Sequence, residues 1–295
     1  MGLWAGSGDR TMKAMKARGM EMERGCDAAV RVRDLVVQYG SVVAVDGLSF
    51  EVRRGEIYGL LGPNGAGKSS TIKTLVGLVE PKSGEVDVFG HSHRDEMAVK
   101  SLIGYVPEDV LLFDSLTPRE FLEFVASVRR LGADEANDRI ARMVKAFRME
   151  SYFDAPIATL SLGTKQKVAV MGALLHDPPL LILDEPLNGL DARTSRILKE
   201  LVSLHVRKGG AAIFCTHVME VAERLCTRVG IVNHGRMVGE GTIEELRALV
   251  HADESLENIF LKVTAEEVGI EETIKALEGE GNGENGANGA DATDA

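Results

Sequence analysis

Gly62-Pro63-Asn64-Gly65-Ala66-Gly67-Lys68-Ser69 is the stretch that decides the fold. It fits the pattern G-x-x-x-x-G-K-[ST]. It stands between an apolar run at 56–61 and a segment, 68–79, in which Ile72, Leu75, Val76 and Val79 recur at helical spacing. The glycines let backbone N–H groups wrap an anion, and the positive end of the following helix adds to the attraction. Lys68 would reach the β- and γ-phosphates of a nucleotide and the Ser69 hydroxyl would hold Mg²⁺, with Ser70 also among the nucleotide-binding residues. A Gly-rich turn meets this pattern by chance in about one protein of this length per hundred. The strand–loop–helix setting lowers that further.

Outward from the loop, strands and helices alternate. Residues 30–37, 48–52, 85–89 and 103–106 read as strands. Thr117-Pro118-Arg119-Glu120 has a cap residue, Pro at the first helical position and Glu at the third, followed by Phe121, Phe124, Val125 and Val128 as an apolar stripe. A second helix follows at about 134–148, so residues 95–165 read as a helical subdomain inserted into an α/β core. The alternation resumes with a helix at 161–176 stopped by Asp177-Pro178-Pro179, a strand at 180–183, a helix at about 195–207, a strand at 211–215, and a hairpin whose turn is His234-Gly235. The run at 180–183 is continuously apolar, as in the middle of a parallel sheet covered on both faces.

That strand ends in Asp184-Glu185. Two carboxylates at the carboxyl end of a buried strand lie where ligands of open α/β sheets bind. Asp184 would support Mg²⁺, and Glu185 would orient and polarise an attacking water. Alone, such a pair is usually a solvated turn; beside a phosphate loop that expectation reverses.

With these residues in order, Leu160-Ser161-Leu162-Gly163-Thr164-Lys165-Gln166 resembles the LSGGQ signature of the ATP-binding cassette (ABC) ATPases, with Leu162 in place of the first glycine. The resemblance covers about residues 29–245. It implies a P-loop, RecA-like core, an antiparallel β-subdomain near the N-terminus and an inserted helical subdomain. It further implies that two chains pair head-to-tail around two ATP molecules, with Ser161 and Gly163 of one chain facing the γ-phosphate held by Lys68 of the other. Asp191, in Gly189-Leu190-Asp191, would meet the opposite phosphate loop. His217 would contact the γ-phosphate and Tyr39 would stack on adenine. Glu108, in Tyr105-Val106-Pro107-Glu108, falls where the family usually has glutamine; it keeps an oxygen near Mg²⁺ and adds a negative charge. The site residues expected from motif and resemblance together are thus Tyr39, residues 62–70, Glu108, Ser161, Gly163, Asp184, Glu185, Asp191 and His217. Lys68, Glu185 and His217 would be catalytic; Ser69, Asp184 and Glu108 would hold the metal. The signature variant, Glu108 and residues 255–261 look like the exporter branch, in which the chain would drive a separate multi-span membrane permease.

Composition is consistent with that expectation. The chain has 295 residues, 27% of them charged, and a formal net charge of −11, which disfavours nucleic acid as partner because phosphate binding needs clustered Lys and Arg. No apolar run approaches the ~18–20 residues that cross a bilayer, so a cytoplasmic protein, peripheral on the membrane through its permease, is expected. Cys26, Cys215 and Cys226 lack CxxC spacing and read as reduced thiols, two of them buried. The other histidines, His91, His93, His176, His205, His234 and His251, read as surface or packing residues. Residues 1–27 read as a disordered extension, 251–268 as a C-terminal helical segment and 269–295 as an acidic, Gly- and Asn-rich disordered tail. The rival functions are a non-transport ABC ATPase of translation or DNA maintenance, typically two cassettes or a long coiled coil, and a nucleotide-gated module without turnover.

Overall fold

Two long strands, Ala28–Tyr39 (β1) and Val42–Arg53 (β2), open the described chain as a hairpin about Gly40 and Ser41. The computed structural model describes residues 28–249 and 255–264. Expectations for residues 1–27, for Cys26 and His251, and for the acidic tail lie outside them. Both strands run beyond the expected 30–37 and 48–52, since pairing continues from Tyr39 opposite Val42 to Ala28 opposite Arg53. Ile57–Leu61 (β3) leads into the glycine loop and Lys68–Leu75 (α1) leaves it. Ser83–Val88 (β4) and His91–Ser92 (β5) complete an antiparallel four-stranded sheet in the order β2-β1-β4-β5.

Glu96–Leu102 (α2) then enters Ile103–Val106 (β6), the edge of a second sheet. Between this strand and the next lie Pro118–Val128 (α3), Ala133–Phe147 (α4), a 3-10 turn at Ile157–Thr159, and Leu162–Leu174 (α5). Residues 103–106 therefore belong to the sheet, and the helical layer follows them. Leu180–Asp184 (β7), Ala192–Arg207 (α6), Ala211–Thr216 (β8), Met219–Leu225 (α7), Arg228–Asn233 (β9), Arg236–Gly241 (β10), Ile243–Leu249 (α8) and Leu256–Thr264 (α9) complete the described chain.

The second sheet has the order β10-β9-β3-β8-β7-β6, parallel throughout except for β10. Every residue of β3, β7 and β8 is buried, which explains why these strands read as continuous apolar runs. Alternate side chains enter opposite cores. Tyr58, Leu60, Ile182 and Ile213 join the antiparallel sheet and α1, while Leu61, Leu183 and Phe214 join the helices on the other face. Cys215 and Cys226 are both buried free thiols, as expected.

One stripe differs from the sequence reading. Thr117 forms the expected capping box, its hydroxyl accepting from the Glu120 N–H and the Glu120 carboxylate accepting from the Thr117 N–H at 2.8 Å. The buried line of α3, however, runs through Pro118, Leu122 and Ala126 at four-residue spacing. Phe124 and Val128 are left 49% and 62% exposed. The helix is apolar on more than one face, and Phe124 meets Phe113 of the preceding loop edge-on, ring centroids 5.8 Å apart, outside the core.

Candidate functional site

Parallel strands in the order β3-β8-β7-β6 deliver four consecutive C-terminal ends to one rim. Leu61 pairs with Thr216, Cys215 with Asp184, and Leu183 with Val106. The glycine loop after β3, Thr216-His217 at the end of β8, Asp184-Glu185 at the end of β7 and Glu108 beyond β6 therefore converge, as expected of an open α/β sheet.

The loop is built to receive an anion. Helices α3, α5 and α6 each have an N-cap side chain, Thr117, Ser161 and Asp191, that accepts a backbone N–H. Helix α1 starts at Gly67 with no side-chain cap and no acidic residue in its first turn, so its leading N–H groups await an external acceptor. Gly67 holds φ at 106°, and a Cβ there would stand 2.4 Å from the Ala44 carbonyl oxygen. Only glycine closes this turn. Lys68 is buried and its Nζ donates to the carbonyl oxygens of Gly62 at 2.6 Å and Pro63 at 3.0 Å.

Asp184 is 2% exposed, and its Oδ1 is buried without a hydrogen-bond partner among the described residues. Burial, and then the charge of Glu108, push its pKa up to about 6, against a lowering hydrogen bond from Ser69. A buried, unsatisfied carboxylate oxygen flanked by a hydroxyl and a second carboxylate fits a hard cation. Among the described residues no cluster of three or more His, Cys, Asp or Glu could hold a metal alone. One or two carboxylates plus substrate phosphates are the usual Mg²⁺ arrangement, so the residues present suit Mg²⁺ delivered with a nucleotide.

Glu185 is 7% exposed with φ at 45°. Its Oε1 accepts from the His217 backbone N–H at 2.8 Å and lies 2.7 Å from His217 Nδ1; its Oε2 accepts from the Thr216 hydroxyl at 3.1 Å. Glu185 and His217 are thus brought together across adjacent strands. Thr216 was not singled out by the sequence. Its hydroxyl also accepts from the Val218 N–H at 3.1 Å, so it fixes both the carboxylate and the turn carrying His217.

Ser161 and Gly163 are held elsewhere, at the start of α5. Ser161 Oγ accepts from the Thr164 N–H at 3.3 Å and lies 2.8 Å from Thr164 Oγ1. A Cβ on Gly163 would be 2.2 Å from the Gly189 carbonyl oxygen, so the signature segment and the loop carrying Asp191 touch. Asp191 itself caps α6, accepting from the Thr194 N–H at 2.8 Å and hydroxyl at 2.9 Å, with Lys167 3.6 Å away. Gln166 is buried and donates to the Pro186 carbonyl at 3.1 Å, a second tie between α5 and the segment after β7. Glu108 is exposed, and Tyr39, 45% exposed, ends β1.

Comparison with known proteins agrees with this architecture. Residues 45–188 match the family model described as ABC transporter. The probable multidrug ABC transporter ATP-binding protein YbhF of Escherichia coli is 35% identical over 242 residues, covering 80% of this chain. The chain spans only 42% of that relative's length. The Nod factor export ATP-binding protein I of Ralstonia nicotianae is 36% identical over 227 residues, which cover 75% of this chain and 70% of the relative. A solved structure of the ATP-binding subunit of an ABC transporter superposes with a TM-score of 0.77 at 34% identity, covering 80% of this chain and 99% of that one. With the uncapped phosphate loop, the Asp184-Glu185 strand end and the signature helix in one fold, the chain belongs to the family of ABC transporter ATP-binding proteins, the ATPase cassettes its sequence resembles.

Proposed function

We propose that this chain hydrolyses ATP as the motor subunit of an ABC exporter, driving a separate multi-span membrane permease by closing and opening a dimer. The observation that supports it best is a division of the site. Lys68, Asp184, Glu185 and His217 share one rim, whereas Ser161 and Gly163 contact Thr164 and Gly189 and not the phosphate loop. Ser161 and Gly163 of a second copy would then complete the γ-phosphate site, so that ATP holds two chains together and hydrolysis releases them.

In the catalytic step, Lys68 leaves the carbonyls of Gly62 and Pro63 for the phosphates, which the N–H groups at the start of α1 receive. Tyr39 stacks on the adenine, and Ser70 lies with the phosphate loop. Ser69 and Asp184, with Glu108, would hold Mg²⁺, which when bound neutralises phosphate charge. Glu185 accepts the proton of the attacking water. Its Oε2 carries a single donor, Thr216, which leaves that oxygen room for a second. His217 orients the other oxygen and faces the γ-phosphate. Asp191 sits at the dimer seam.

No helix among the described residues is long and apolar enough to cross a membrane. An exposed apolar surface lies beyond β6, where Leu111, Phe124 and Val128 line a cavity of 410 Å³ and Phe113 meets Phe124 edge-on. It suits an apolar segment of a permease, and Glu108 directly follows Pro107, which lines the cavity. The multidrug and Nod factor export names of the relatives favour the export direction. The reading is tested by isolating tagged Glu185→Gln protein from detergent-solubilised native membranes with Mg-ATP. A stoichiometric multi-span membrane protein supports it; ribosomes, DNA-bound factors or self-dimer alone would replace it with a non-transport ABC ATPase.

A further inference from the structure

The nucleotide rim leaves unused a basic surface along α6. Arg193, Arg196 and Arg207 are exposed there and, with Ile197 and Leu201, line a shallow cavity of 460 Å³. It shares Leu201 and Leu204 with a second cavity of 450 Å³, whose rim adds Lys208 and Arg142 over an apolar floor that includes Met143 and Phe147. The two cavities together are lined by those five cations against two carboxylates, Glu200 and Asp177. Among the described residues Arg193, Arg196, Arg207 and Lys208 form no ion pair. In a chain of net charge −11 this is a local inversion of sign, and like charges three residues apart on a helix, as at Arg193 and Arg196, repel one another.

The same chain carries the complement. Residues 271–294 contain seven carboxylates and one lysine. The described chain leads toward them from Thr264, at the end of α9. Helix α9 packs on α7, and α7 and α6 both pack on β3 and β8, so the three lie side by side on one face of the sheet. Packed helices stand about 8–10 Å apart, which puts α6 roughly 20 Å from α9. A dozen residues beyond Thr264, at up to about 3.3 Å each, would span about 40 Å and so reach past that distance to the exposed face of α6.

We propose that the acidic segment 271–294 docks on the α6 surface of its own chain, its carboxylates against Arg193, Arg196, Arg207 and Lys208. This does not depend on the transport reading, because it uses none of the nucleotide-site residues. The test is zero-length carbodiimide cross-linking of the full chain at low salt, followed by peptide mapping. Tail carboxylates are expected to join Lys208 first, and then Lys199, the one lysine within the helix Ala192–Arg207. The links should fade at about 1 M salt, where the Debye length falls to about 3 Å. They should also fade in Arg193→Glu/Arg196→Glu/Arg207→Glu, whose exposed substitutions leave the circular dichroism and melting unchanged. Tail links spread evenly over Lys73, Lys100 and Lys145, or unaltered in the charge-reversed variant, would overturn the proposal. A mixture of isotopically light and heavy chains yielding mostly hybrid cross-links would also overturn it, since the contact would then join two copies.

Discussion

His217 Nδ1 stands 2.7 Å from Glu185 Oε1, and the His217 backbone N–H donates to the same oxygen at 2.8 Å. One residue thus holds the carboxylate twice, by main chain and by ring, from the strand next to that of Glu185. The ring is 55% exposed while the carboxylate is 8% exposed, so the contact runs from a buried carboxylate to a solvent-facing ring, as the roles proposed for Glu185 and His217 require. Glu185→Gln keeps the shape and the backbone hydrogen bond but removes the proton acceptor. Loss of a positioned general base costs about 10²–10⁴-fold in rate. The variant should bind Mg-ATP, hydrolyse it slower by that factor and accumulate as a dimer on size-exclusion chromatography. A monomer in saturating Mg-ATP would contradict the shared-nucleotide dimer.

Lys68 is the next test. Its two carbonyl contacts at 2.6 and 3.0 Å mark a charge kept in place by the loop itself. Lys68→Ala removes the ammonium and leaves the fold's strand–loop–helix intact. Hydrogen bonds to charged groups contribute about 1.5–3 kcal/mol, which corresponds to roughly a 10–100-fold loss of nucleotide affinity. Titration with a fluorescent ATP analogue measures it, and unchanged affinity would remove Lys68 from the phosphate site.

What was legible in the sequence was whatever is local. The glycine loop, the Asp184-Glu185 strand end and the Thr117 capping box each depend on a few consecutive residues, and each is found where the pattern places it. The turn that carries His217 is legible for the same reason, lying directly beyond an apolar strand. The grip of Thr216 on Glu185 was not legible, because it joins residues 31 positions apart and requires β7 and β8 to be neighbours. The outward turn of Phe124 and Val128 was hidden because a helix with apolar residues on several faces does not announce which line the core will take. Helix α6 begins at Ala192 and not at 195 because Asp191 caps it through Thr194, a local signal passed over in favour of Asp191's expected role across the dimer.

His176 supplies a pH dependence away from the nucleotide. Burial, and then the charge of Arg129, push its pKa down to about 4. Its Nε2 lies 3.2 Å from the Ile103 carbonyl oxygen, and its Nδ1 is buried without a partner. The folded chain therefore prefers the neutral ring. The stabilisation is present above the ordinary value near 6.5 and is lost as pH falls from there toward 4. Discounted for partial exposure, it amounts to about 1–2 kcal/mol. Urea unfolding of the wild type should weaken between pH 6.5 and 4, and His176→Gln, which keeps a donor for Ile103, should flatten that limb. An identical pH profile in the variant would refute the assignment.

The last prediction concerns Gly163, where the signature helix meets the loop that carries Asp191. A methyl group there would lie 2.2 Å from the Gly189 carbonyl oxygen, closer than any real contact, so Gly163→Ala must move one segment against the other. The Gly189 loop is the one to yield, because α5 is anchored in the core by buried Val168, Val170 and Met171. Overpacking of this kind costs about 1–3 kcal/mol. The phosphate loop and Lys68 lie outside the disturbance, so Mg-ATP affinity of the isolated chain should change by less than about threefold. If Asp191 meets a second copy as proposed, the displaced loop would carry it out of register, and turnover should fall about tenfold or more, the kinetic equivalent of that strain. Affinity by nucleotide titration and turnover by phosphate release separate the two effects. A parallel loss of both would show that the signature helix acts within its own chain, and unchanged turnover would show that the contact with Gly189 does not govern closure.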